Sequence, residues 1–322
     1  MSEQSGGMTD ANNTQSNETL TSLWSSYIEA EYIYAVQAGW VTCALTVVQL
    51  GIWCFMAVQE SIEEKYKRRV SVISTAFRPI NLLLLLLILS NYFPLLCFQM
   101  QAQGNDSIVE DIAWNIVGNI FSTLFNTAAI LITWTRGCAI ADIAAKWSIP
   151  CCRAVIFLFL LLQVVCCVLN TYLAVNDVTT TPLEVLYQAL FYLNFASDIL
   201  FSTLDLFLAI VFIRYLRNAI HEKLETTDGR MSILARYGIA SFCCFQLVMI
   251  STVAFSYANA PEIPPVTLEV FLALFNLQLY APLPYILAVL AMKWALLTFK
   301  KRKQTESASL ENTRRGLTKQ LT

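Results

Sequence analysis

Lys65-Tyr66-Lys67-Arg68-Arg69, the run VISTAFRPINLLLLLLILSNYFPLLCFQ over 72–99, and then Asn105-Asp106-Ser107-Ile108-Val109-Glu110-Asp111 decide the fold of this chain. A basic gap precedes an apolar run longer than the ~20 helical residues that cross hydrocarbon. The gap that follows holds acids and no base. The same alternation continues outward. Arg136, Lys146 and Arg153 follow the next run, then come Asp177 and Glu184 alone. Arg214, Arg217, Lys223, Arg230 and Arg236 come next, then Glu262 and Glu269, then a basic tail from Lys293 to Lys319. All 21 lysines and arginines fall on one side of this pattern. Cytoplasmic loops retain Lys and Arg because these residues resist translocation. The pattern therefore predicts a seven-transmembrane helix bundle, N-terminus outside and C-terminus cytoplasmic.

Composition points the same way. The chain is 57% hydrophobic and 14% charged, whereas soluble domains carry about 25% charged residues. The expected spans are 33–58, 72–99, 109–135, 151–174, 184–213, 235–257 and 267–292. They must be helical, because backbone facing lipid has to bond within its own segment, and the runs lack the alternation of barrel strands. An all-α membrane domain over 33–299 then lies between an extracellular disordered tail, 1–32, and a basic, disordered cytoplasmic tail, 300–322. The first tail has no basic stretch followed by an apolar core, so the first span is expected to direct translocation. Three sequons, at Asn12, Asn17 and Asn105, lie on the predicted outer side and are candidate glycosylation sites. Lys300, Lys301, Arg302 and Lys303 are placed to meet anionic lipid of the bilayer. The ten cysteines fall in apolar runs or at the cytoplasmic border and form no disulfide framework.

Two spans carry polar residues at helical spacing. Asp111, Asn115, Asn119, Ser122, Asn126 and Thr133 share one line of the third, and Tyr187, Asn194, Asp198, Ser202 and Asp205 one line of the fifth. Polar groups facing hydrocarbon are costly, so both lines are expected to face the bundle interior. Asp111, Asn115, Asn119, Asn194 and Asp198 are the candidate ligand-binding residues. Asp205, nearer the cytoplasm, is a candidate ion-pair partner for Arg136 or Arg78. Pro94 with Asn91 should kink the second span. Pro282 and Pro284 remove two backbone donors from the inner third of the seventh.

Ala281-Pro282-Leu283-Pro284-Tyr285 resembles the Asn-Pro-x-x-Tyr element of rhodopsin-class G-protein-coupled receptors, with Ala in place of Asn. Thr135-Arg136-Gly137 sits where that class has Asp-Arg-Tyr. The outer loops hold no cysteine for the usual bridge, and Phe242-Cys243-Cys244-Phe245 replaces Cys-Trp-x-Pro. The resemblance implies that Arg136 and Tyr285 belong to activation machinery near a cleft for a heterotrimeric G protein or other cytoplasmic effector; with Asp205 and the bend at Pro282 they are the candidate conformational switch. It also implies an extracellular ligand and a plasma-membrane location.

A receptor is the leading expectation. A cation- or proton-coupled transporter or channel using Asp198 and Asp205 is the alternative, and a non-signalling membrane adaptor a third. The absence of an internal repeat counts against a repeat-built transporter. An enzyme is not expected: His221 is the single histidine, so no multi-histidine zinc site can be assembled. No cofactor, metal or nucleic-acid partner is expected either.

Overall fold

The computed structural model describes residues 33, 36–62, 78–102, 108–176, 181–221, 229–258 and 267–321. The tail 1–32 and Asn105, with the sequons at Asn12 and Asn17, lie outside the described residues. The helices are α1 (Val36–Ile62), α2 (Pro79–Ala102), α3 (Ile108–Ala144), α4 (Ile149–Val175), α5 (Thr181–His221), α6 (Gly229–Ala258), α7 (Leu268–Tyr280) and α8 (Pro282–Leu321). There is no strand among the described residues. Among the described residues, seven segments are long and apolar enough to cross a membrane, the last running from Glu269 to Ser307 through α7 and α8. This is a multi-pass membrane protein.

The surface of the bundle is what a bilayer selects. On α4, Phe157, Leu161, Val164 and Val168 project outward at helical spacing and are 48–69% exposed. Such a stripe in water would be a large aggregation hazard, whereas in lipid it is the matched surface. Inside, α3 is the central helix and packs against α2, α4, α5 and α6, while α6 packs along α8. A chain of rings crosses the core: Phe159 meets Phe201 at 5.4 Å, Phe201 meets Phe245 at 4.1 Å, and Phe245 meets Tyr285 at 5.3 Å. Close helix approach depends on glycine. A Cβ at Gly137 would lie 2.6 Å from Leu208, and one at Gly238 would overlap the Phe212 ring.

Several helices outrun the predicted spans. α3 continues nine residues past Thr135 to Ala144, and α6 starts at Gly229 rather than 235. The expected limits followed charge, but Arg, Lys and Glu are good helix formers, so a helix need not stop at the first of them. The same reason corrects the tail. Residues 300–321, expected to be disordered, continue α8. Elongating an existing helix avoids the cost of nucleation. Thr305 and Ser307 donate their hydroxyls back to the carbonyls of Lys301 and Lys303. The break in the seventh segment falls at Ala281, twelve residues after Glu269, between α7 and α8. α2 passes through Pro94 as one helix.

Candidate functional site: an open polar vestibule above a buried polar layer

Five helical turns, about 18 residues, return a side chain to its starting direction. α3 and α5 are both continuous, so this relation locates their polar lines. Ala129, Thr133 and Ile140 on α3 are buried in the core. Asp111, Asn115 and Ser122 point in those same three directions five turns earlier, yet they are exposed. On α5, Asp205, Ala209 and Phe212 are buried, while Tyr187, Phe191 and Asn194, in the same phases, are exposed. Along these lines of α3 and α5, the side chains are therefore open toward the end that carries Glu110, Asp111 and Glu269, the acidic end, and buried toward the basic end of Arg136, Arg214 and Arg230.

The remaining ligand candidates sit within this frame. Asn119 is half-buried and donates its amide to Asn115 Oδ1 at 2.6 Å. Asp198 is half-buried beside Cys166 of α4. Below the vestibule, Asn126 donates to Gln163 Oε1 at 3.5 Å, and Gln163 Nε2 to Ser197 Oγ at 2.7 Å, joining α3, α4 and α5. Gln163 was legible as the one amide between Ala154 and Leu169, but its partners depend on register. Interhelical bonds in membranes contribute about 0.6 kcal/mol each on average. Gln163→Leu should thus lower unfolding stability by about 1 kcal/mol in an SDS titration.

A second group occupies the basic half. Arg136, 2% exposed, donates to Ser241 Oγ on α6, and through Nη2 to Thr133 Oγ1 at 2.8 Å. Tyr285 is fully buried and donates its hydroxyl to the Ala129 carbonyl at 3.3 Å. Asp205 shares this layer with the Arg136 guanidinium. The two make no direct bond: Asp205 Oδ2 and Arg136 Nε both lack a partner. Arg78, the other proposed partner of Asp205, instead binds Glu60 at 2.8 Å. Pro282 is half-buried at the start of α8, and Tyr285 lies one turn beyond it. The structure thus brings Arg136, Asp205 and Tyr285 into one layer, and adds Ser241 to them.

Lys301, Arg302 and Lys303 are exposed on α8 where it leaves the bundle, and Lys303 lies over the Phe299 ring at 5.1 Å. Lys300 is half-buried. No group of three or more His, Cys, Asp or Glu able to hold a metal ion occurs among the described residues. No protein-family model, curated protein or solved structure matches this chain.

Proposed function

We propose that this protein is a divergent receptor resembling G-protein-coupled receptors, with its acidic end extracellular and its basic end facing the cytoplasm of the plasma membrane. The observation that carries the reading is the division of α3 and α5. Each presents an open polar face at one end and a buried polar layer at the other, on one continuous helix. A ligand between Asp111, Asn115, Asn119, Asn194 and Asp198 would bear on both helices. Its differential affinity for two arrangements of the bundle is what shifts their populations. The layer below is suited to respond, because Arg136 and Asp205 are complementary charges with unmet capacity. A turn of Arg136 toward Asp205 that drew Nη1 away from Ser241 would release its tie to α6. A heterotrimeric G protein or another cytoplasmic effector would read that release. The topology also makes Asn12, Asn17 and Asn105 acceptors for glycans.

Transport through Asp198 and Asp205 is less well supported. Phe201 lies between the two acids, has no exposure, and packs against Phe159 and Phe245. A dry aromatic layer between two carboxylates favours transmitting a signal over conducting an ion.

Nucleotide exchange on purified heterotrimers of each Gα class, with the full chain in nanodiscs, tests this. Ser241→Ala should raise basal exchange several-fold, since a coupling free energy of about 1–3 kcal/mol corresponds to roughly 5–150-fold. Folded wild type and Ser241→Ala that both leave every Gα class unstimulated would remove G-protein coupling. Cation flux in proteoliposomes would move the reading to a transporter.

A further inference from the structure

α5 and α6 pack together in their basic halves and part in their acidic halves. Phe212 of α5 fills the space beside Gly238 of α6, and the Phe201 and Phe245 rings meet at 4.1 Å. Asn194 lies five turns from Phe212 and shares its direction, yet it is exposed. On α6, Ala235 is fully buried, whereas Val253, five turns from it in the same direction, is 43% exposed. Equal steps along the two antiparallel helices from the Gly238 and Phe245 contacts put Val253 level with the turn from Leu193 to Ser197. The apolar clusters of the acidic half divide at the same place. Leu95, Phe255 and Phe275 join α2, α6 and α7, while Cys166, Leu173 and Leu190 join α4 and α5.

This gap connects the vestibule to lipid. Phe191 lies ~60° round α5 from Asn194, and Phe195 and Ile199 lie a further ~40° each. All four are exposed, and Ile199 has reached the direction of Leu206 and Ile210, which face lipid. On the other wall Val253 lies between the direction of Gly238 and that of exposed Ile250. The rims are therefore apolar, and the Phe201–Phe245 contact closes the gap below them.

The far wall is polar. Asn126, Gln163 and Ser197 form a bonded bridge, and Gly137 approaches Leu208 closely, so both fix one register between the parallel helices α3 and α5. That register puts Ser122, which is exposed, level with Leu193 and so beside Asn194. Asp198 points between the directions of Asn194 and Phe191. No Lys or Arg occurs in α3 before Arg136, in α5 before Arg214 or in α6 after Arg236. A carboxylate or phosphate head would find no cation here, whereas an ammonium donates to the carboxylate, amide oxygen and hydroxyl that are present.

We propose that the vestibule takes an amphiphile with an amine head and a long apolar chain, which enters from the bilayer between α5 and α6. Asp198, Asn194 and Ser122 hold the head, and the chain lies along Phe191, Phe195 and Val253 toward lipid. This names the ligand class of the vestibule and rests on the receptor reading for its consequence, but not for binding.

The test is photolabelling of the full chain in phosphatidylcholine nanodiscs with octadecylamine bearing a diazirine on its chain, the adducts being mapped by mass spectrometry. Adducts should concentrate at Phe191, Phe195 and Val253. Octadecylamine should displace them at about tenfold or more lower concentration than octadecanoic acid. Asp198→Asn should remove that preference. Val253→Trp, which fills the gap, should lower the labelling several-fold, while Leu161→Trp on the exposed stripe of α4 should leave it at the wild-type level. Equal labelling of Phe157, Leu161 and Val164 on α4 would mean bulk lipid contact and overturn the site. Equal displacement by the acid would overturn it too, as would unchanged labelling in folded Val253→Trp. Octadecylamine bound as described, without any change in nucleotide exchange, would keep the site and count against the receptor reading alone.

Discussion

Glu60→Ala is expected to cost about 3–5 kcal/mol of stability, the range for breaking a buried ion pair by removing one partner. Glu60 Oε1 accepts from Arg78 at 2.8 Å, and its Oε2 lies 3.5 Å from Lys293 Nζ and accepts from Asn81 at 3.3 Å. Lys293 also donates to Asn81 Oδ1. One carboxylate thus holds two cations, Arg78 just before α2 and Lys293 of α8, and the side chains of Glu60 and Lys293 are only 12% and 8% exposed. Removing the acid leaves Lys293 charged and buried. Removing both charges does not, so Glu60→Leu with Lys293→Met should recover most of the loss in SDS- or heat-induced unfolding. A double variant no more stable than Glu60→Ala would mean that the cluster acts through its shape and not its charge.

Gly238→Val should be nearly as damaging, at about 3 kcal/mol, the upper part of the usual range for overpacking a core. The Phe212 ring lies where a Cβ would be, and Phe212 is 3% exposed, so the ring has little room to yield. α5 and α6 would have to separate beside Ser241, the partner of Arg136. Thermal unfolding measures the loss. Phe212→Ala in the Gly238→Val background should recover part of it by vacating the same space, and a midpoint unchanged from wild type in Gly238→Val would show that the approach is looser than described.

The contrast between these two sites shows what could be read from residues alone. The alternation of Lys65–Arg69 with Asn105–Asp111 is a one-dimensional signal. Each gap meets one side of a bilayer, so the number of spans and their helical character need no partner contact. That Asp111 and Asn115 share one line of α3, and Asn194 and Asp205 one line of α5, is also one-dimensional, because helical periodicity places residues on a line. The same logic applied to α1 would have drawn attention to Thr42, Thr46, Gln49, Trp53 and Glu60 as a single stripe. An apolar background with only scattered polar residues concealed it.

Charge and periodicity along the chain determined seven helical spans and which residues share a face, since both act residue by residue along one helix. Only the tertiary structure decided which inward residues are packed and which stay open. It also chose partners: Arg136 bonds Ser241 rather than Asp205, and Arg78 bonds Glu60. The physical reason is register. Two helices in contact can slide by a turn, about 5 Å, with little change in apolar burial. Glycine approaches such as Gly137 to Leu208 and Gly238 to Phe212 then select one register, and that register selects the partners.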